Sequence, residues 1–388
     1  MHSKFIEQSF AVPYAYKLHF TQRLFSTDNT LFRDIFDEYK VNDTVKALFV
    51  LDKGVHEYHP ELHKEIKDYC SKYPDTIQYT GSLIIAGGEQ SKNDYGNVTS
   101  VLEKINTNAI CRHSFVVVIG GGAVIDMVGY AAAIAHRGVK LIRVPTTVLS
   151  QNDSAVGVKN SINSFGKKNF LGTFAPPYAI INDSDFLKTL EHRDWIAGIA
   201  EAIKVALIKD KKFFNYLEDK AEKLGNRDMA AMQDVIYKCA EMHMHHIARG
   251  GDPFESGSSR PLDFGHWAAH KLEQMSNYNL RHGEAVAKGI ALDVTYARLM
   301  GLISEDTQKR ILAVMRKIGL DVHIPVETEK EIQELLQGIE EFREHLGGEL
   351  CITLISEIGK KLDVNKIDIE SMQHAITVLN DSCKIKMD

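Results

Sequence analysis

Residues 115–138, FVVVIGGGAVIDMVGYAAAIAHRG, carry the strongest architectural signal in the chain. FVVVI is a short β-branched apolar run, the composition of a strand buried on both faces, and Gly120-Gly121-Gly122 turns it straight into an apolar helical segment. Glycines at such a turn let the backbone approach a pyrophosphate, whose charge the helix N-terminus favours. The run departs from G-x-G-x-x-G, because Ile125 stands where the last glycine is needed, so alone it is as readily a tight turn as a nucleotide site. Its glycines and Asp126 interrupt it too often for a membrane span.

Upstream, KALFVLDKGV reads as a buried strand, Ala47 to Leu51, ending in Asp52 and a glycine turn, and HPELHKEIKDYCSKY is helical. SLIIAGGEQSKN repeats the pattern with a second glycine turn carrying Glu89 and Lys92, and YKLHF and LFRDIFDEYK read as a first strand and helix. Strand and helix in this rhythm predict a parallel sheet. A dinucleotide crossing its strand ends needs carboxylates for the ribose hydroxyls, which Asp52 and Glu89 supply. Downstream, KLIRVPTTVLSQ is another strand, followed by a stretch that reads as a polar loop, NDSAVGVKNSINSFGKKNFLG. That loop carries Asp153, Lys159, Asn163, Lys167, Lys168 and Asn169 just past a strand end, where α/β sheets bind ligands.

From Asp183 the texture turns helical. The expectation is a Rossmann-like α/β nucleotide-binding domain over residues 1–185 and an all-α metal- and substrate-binding domain over 186–388. A length of 388 residues suits two domains. Hydrophobic content of 44%, charged content of 25% and a net charge of −6 describe a soluble protein with no basic run for nucleic acid and no membrane segment. Five scattered cysteines without a CxxC pair point to reduced thiols and a cytoplasmic setting, and MHSKFIEQSF lacks the apolar core of a signal peptide.

Residues 251–284, GDPFESGSSRPLDFGHWAAHKLEQMSNYNLRHGE, hold a second concentration of chemistry. His266 and His270 are one helical turn apart on one face, and a helical hairpin through the NYN turn would return His282 beside them. Imidazoles suit zinc, and a catalytic site takes about three protein ligands with one position open. With 17 histidines in the chain, a pair at that spacing is also an ordinary accident. Glu201, in the apolar helix around AEAIK, is costly to bury unpaired, which makes it the natural further ligand. Arg260 and Asp263 sit in the polar segment before the helix, suited to an anionic substrate.

The ordered set GGGAVID, HRG, VPTT, DSAVGVK, GKKN, AEAIK, RPLDFGHWAAHKLE and RHGEAVAKG, spread over residues 45–360, resembles the 3-dehydroquinate synthase superfamily of sugar phosphate cyclases. The resemblance implies a dehydroquinate synthase-like fold, a homodimer, NAD with Zn2+ or Co2+ as cofactors, and a small-molecule sugar phosphate as substrate. Carried over, the metal ligands are Glu201, His266 and His282, and His270 becomes an active-site histidine for proton relay or phosphate contact. NAD falls to Asp52, Glu89, Lys92, Gly120, Gly121, Gly122, Asp126, Thr146, Thr147 and Lys168. Lys159, Lys168, Lys204, Asn169 and Arg260 are expected at substrate hydroxyls and phosphate, Asp153 orients the ring, and Arg137 reaches the phosphate of a neighbouring subunit. The reaction implied is transient oxidation of a ring hydroxyl, β-elimination of phosphate, return of the hydride, ring opening and an intramolecular aldol, with no net redox change.

Quinate-forming members resemble RxxLNxGHTxGH, whereas this chain has RPLDFGHW from Arg260 to Trp267. It also has no lysine between Lys238 and Lys271, where those enzymes carry one for the substrate carboxylate. A substrate without a carboxylate needs fewer fixed cations. The run GDPFESGSSRPLDFGHW, with FREHLGGEL at 342–350, is similar to sedoheptulose 7-phosphate cyclases, and within that branch Asp263 and His345 favour 2-epi-5-epi-valiolone-type products. Three alternatives stand beside this: a 3-dehydroquinate synthase, a metal-dependent polyol dehydrogenase of the glycerol dehydrogenase kind, and a non-catalytic binding protein of cyclase descent.

Overall fold

The computed structural model describes residues 5–39, 44–250, 253–254 and 261–384. Six parallel strands form one sheet in the order β1-β8-β5-β4-β2-β3. They are β1 (Lys17–Thr21), β2 (Val45–Asp52), β3 (Ile77–Ile85), β4 (Phe115–Gly120), β5 (Lys140–Pro145) and β8 (Ala179–Asp183). Side chains alternate across the central strands: Phe115, Val117 and Ile119 of β4 enter one core, Val116 and Val118 the other. Because helices cover both faces, all of β4 is buried, which is why its sequence shows no polar alternation. The chain leaves β2 for the edge at β3 and returns to β4 on the other side of β2. This switch point opens a crevice beyond Asp52 and Gly120.

The stretch read as a polar loop is structured. Ser150–Ser154 forms a π-helical turn, and β6 (Lys159–Ser164) and β7 (Lys167–Phe174) form an antiparallel hairpin. Its loop, Phe165-Gly166, has φ of 53° and 70°, as a two-residue I′-type turn requires. Polarity misled the reading because the buried row of β6 is itself polar and finds polar partners: Asn160 meets Arg143, Ser161 meets Asp126, and Asn163 meets Glu89.

Beyond Asp183 the described residues are mainly helical, with one addition among them to the expected all-α half, an antiparallel hairpin of β9 (Ile352–Glu357) and β10 (Lys360–Val364). Two glycines set the helix spacing. A Cβ on Gly283 would lie 2.0 Å from the carbonyl oxygen of Ala197, and one on Gly289 would lie 2.0 Å from that of Gly265. These contacts draw helix His282–Leu299 against helix His266–Met275 and the end of helix His192–Ala197. Among the described residues no helix is long and apolar enough to cross a membrane.

Candidate active site

A cleft of about 1640 Å³ runs from the strand ends to the helical half. At the sheet end, Gly121 caps the helix after β4, and a Cβ there would meet only Thr147, at 3.6 Å. Gly120 and Gly122 are required by the chain itself, because their Cβ atoms would strike Asp52 and Ser154. Asp52 lines the cleft but already accepts from the Gly54 amide at 2.8 Å, and burial pushes its carboxyl pKa up. Glu89, Asp126, Thr146 and Thr147 line the same end. Lys92 is buried, bonded to Asp126 at 2.8 Å, to Ser161 and to Asn169. Asn169, expected at the substrate, therefore joins the Lys92 group through its Oδ1.

At the helical end, three first-turn side chains converge. Glu201, His266 and His282 come from separate helices, and the Nε2 atoms of both histidines lie 3.6 Å from Oε1 of Glu201. His266 donates Nδ1–H to the Phe264 carbonyl at 3.1 Å and His282 donates Nδ1–H to Glu273 at 3.0 Å. With each Nδ1 engaged in this way, Nε2 is the nitrogen that both rings turn toward the carboxylate. Glu201 is fully buried: the Lys204 ammonium pairs with its Oε2, and among the described residues its Oε1 has no hydrogen-bond partner and faces the two imidazoles. Ligands about 2.0–2.1 Å from a tetrahedral ion stand about 3.4 Å apart, so this donor set fits a zinc-type cation. Burial raises the Glu201 pKa, but Lys204 and the imidazoles outweigh it and hold the carboxyl well below its ordinary range.

A second set, His270, Glu273 and His282, is also close enough to share an ion. We favour the first set, because both oxygens of Glu273 are occupied by Lys168, at 2.8 and 2.9 Å, and one by His282 as well. Burial lowers the His282 pKa, yet Glu273 beside it raises the imidazole to about 9. Burial, reinforced by Lys168, holds His270 well below its usual value, so that ring is neutral.

Lys159, Asp153, Lys204 and Asp263 line the cleft with His270. Arg137 is exposed and does not line it. Arg260 lies outside the described residues, as does the side chain of His345. Three residues of the site escaped the sequence reading. Glu273 stands three residues after His270 in HKLE, a same-face spacing that was there to be used. His243 meets Asp153 at 2.8 Å, and Asp293 accepts from the Gly265 amide at 3.0 Å and from the Trp267 indole at 2.9 Å, fixing the start of the His266 helix.

Two family models match in tandem: 3-dehydroquinate synthase N-terminal over residues 82–197 and 3-dehydroquinate synthase C-terminal over 198–341. A 3-dehydroquinate synthase of Shewanella sp. (strain MR-4) is 31% identical over 93% of this chain and 96% of its own length. The chain belongs to the 3-dehydroquinate synthase family. Another 3-dehydroquinate synthase, from Vibrio atlanticus (strain LGP32), is 34% identical over 76% of this chain and 81% of its own. Among solved structures, the 2-epi-5-epi-valiolone synthase ValA from Streptomyces hygroscopicus subsp. jinggangensis 5008, with NAD+ and Zn2+ bound, superposes with a TM-score of 0.87 at 26% identity, covering 97% of this chain and 100% of that one. A 2-deoxy-scyllo-inosose synthase complexed with NAD+ and Co2+ has a TM-score of 0.77 at 24% identity, covering 92% and 95%. The glycerol dehydrogenase of Schizosaccharomyces pombe, at 0.62 and 16% with 95% and 90% covered, shares the fold alone. The family and the dehydroquinate synthase-like fold expected from the motifs are thus the ones found.

Proposed function

We propose that this member of the 3-dehydroquinate synthase family is a sugar phosphate cyclase that converts sedoheptulose 7-phosphate to a C7 cyclitol of the 2-epi-5-epi-valiolone type, releasing phosphate. The observation that carries this reading is one wall of the cleft. There, the stretch between Lys238 and Lys271 contributes His243, Ile247, Pro253, Phe254, Leu262 and Asp263, and it contains no lysine to pair with a substrate carboxylate. The full-length similarity to a 2-epi-5-epi-valiolone synthase supports the same choice. The higher identity to curated 3-dehydroquinate synthases favours the alternative, turnover of the acidic sugar phosphate.

In this reading NAD+ supplies a transient hydride acceptor, and a zinc or cobalt ion held by Glu201, His266 and His282 supplies Lewis acidity for a substrate hydroxyl. The protein's own groups do the rest. Asp153, Asp263 and Lys204 orient the ring, with Lys204 kept charged by Glu201 despite burial. Neutral His270 accepts and returns a proton. Lys159 and Arg260 are assigned to the phosphate, and His345 with Asp263 to the choice of product. The reading includes a homodimer in which Arg137 serves the neighbouring cleft, a domain boundary near residue 185, and a cytoplasmic setting.

The test is inorganic phosphate release with NAD+ and divalent metal. Sedoheptulose 7-phosphate should be turned over without accumulation of absorbance at 340 nm. Asp263→Asn should slow turnover without lowering the melting temperature. Turnover of the acidic sugar phosphate alone would favour a 3-dehydroquinate synthase, and steady NADH growth on a polyol would favour a dehydrogenase.

A further inference from the structure

His243 belongs to helix Met229–Arg249, outside every motif used so far, yet its ring lines the cleft. Its Nδ1 is 2.8 Å from Oδ1 of Asp153, and both side chains are largely buried, at 12% and 18% exposure. Burial raises the Asp153 pKa, but Lys204 and His243 outweigh it and keep the group a carboxylate. It can only accept, so Nδ1 donates to it, which leaves Nε2 as the ring nitrogen facing the cleft and, in the neutral ring, as an acceptor. Nε2 has no hydrogen-bond partner among the described residues. Gly157 lies beneath it: a Cβ there would sit 3.7 Å from Nε2, so a larger side chain would cover the edge that glycine leaves open.

A buried imidazole oriented by a carboxylate, with its free acceptor on the cleft surface, is built to receive a hydroxyl hydrogen. It repels a carboxylate, which offers only further lone pairs and would stand close to the Asp153 charge. We propose that His243 is a substrate-positioning and specificity residue, accepting a hydrogen bond at Nε2 from a non-reacting hydroxyl of the sugar phosphate and disfavouring substrates that place a carboxylate there. The inference rests on the neutral-sugar reading above and adds the residue that enforces it.

The experiment uses the full chain loaded with NAD+ and zinc, and measures phosphate release from sedoheptulose 7-phosphate and from analogues each lacking one non-reacting hydroxyl. Wild type should lose roughly ten- to hundredfold in kcat/KM on removal of one particular hydroxyl. His243→Ala should show a similar loss on the complete sugar, mainly in KM, and should no longer distinguish the analogue lacking that hydroxyl. His243→Asn keeps a donor for Asp153 while falling short of the substrate, so it should behave alike with unchanged melting temperature and zinc content. If both variants keep the wild-type penalty at every hydroxyl, His243 does not touch substrate and the inference is wrong. If wild type takes only the acidic sugar phosphate, the substrate reading itself fails and carries this inference with it.

Discussion

Lys168 Nζ lies 2.8 and 2.9 Å from the two carboxylate oxygens of Glu273, so a single ion pair fastens the β6–β7 hairpin of the nucleotide-binding half to the helix that carries His266 and His270. Glu273 in turn receives Nδ1–H of His282, which joins the hairpin to the cation pocket through two contacts.

Removing the cation should therefore be felt in both halves. Lys168→Met leaves a carboxylate that is 3% exposed without its ammonium partner. It should cost about 3–5 kcal/mol in denaturant unfolding and weaken zinc retention in dialysis against a chelator. Unchanged stability and zinc content would mean that the pair is incidental.

Helix spacing gives an independent handle. The Cβ of Gly289→Ala would lie 2.0 Å from the Gly265 carbonyl oxygen, a backbone atom that cannot swing away. Overpacking of this kind costs about 1–3 kcal/mol, and here it also pushes His266 away from His282. A folded variant with lower melting temperature and reduced metal affinity is expected; wild-type affinity would show that the two helices tolerate separation.

Asp293 ties pH to stability. Burial raises its carboxyl from 3.8 to about 7 in the folded chain. The folded state therefore holds the proton more tightly than the unfolded state, so this contribution is full below pH 4 and is lost as pH rises to 7. The linkage is of the order of 4 kcal/mol. Unfolding free energies of wild type against Asp293→Asn should diverge in slope across pH 4–7, and parallel slopes would place the ionisation elsewhere.

Much of this was legible in the residues. β4 and its triple glycine announced a parallel sheet, because an unbroken β-branched run running straight into a helix has few other solutions. Glu201 could be grouped with the histidines of residues 266–282 because a buried carboxylate in an apolar helix demands cations, while the choice of His266 and His282 among the three came from the family resemblance. The hairpin of residues 159–174 could not be read, since three of the four buried residues of β6 are asparagine or serine satisfied by distant partners. Nor could the Asp153–His243 pair, whose members are 90 residues apart and brought together only by tertiary packing.

The central claim is that Glu201, His266 and His282 hold one cation facing the cleft. Anomalous scattering from crystals grown with zinc tests it directly. The account predicts one peak about 2.0–2.2 Å from Glu201 Oε1 and from the Nε2 atoms of His266 and His282, lost in Glu201→Gln. A peak seated instead between His270, Glu273 and His282, persisting in that variant, would contradict it.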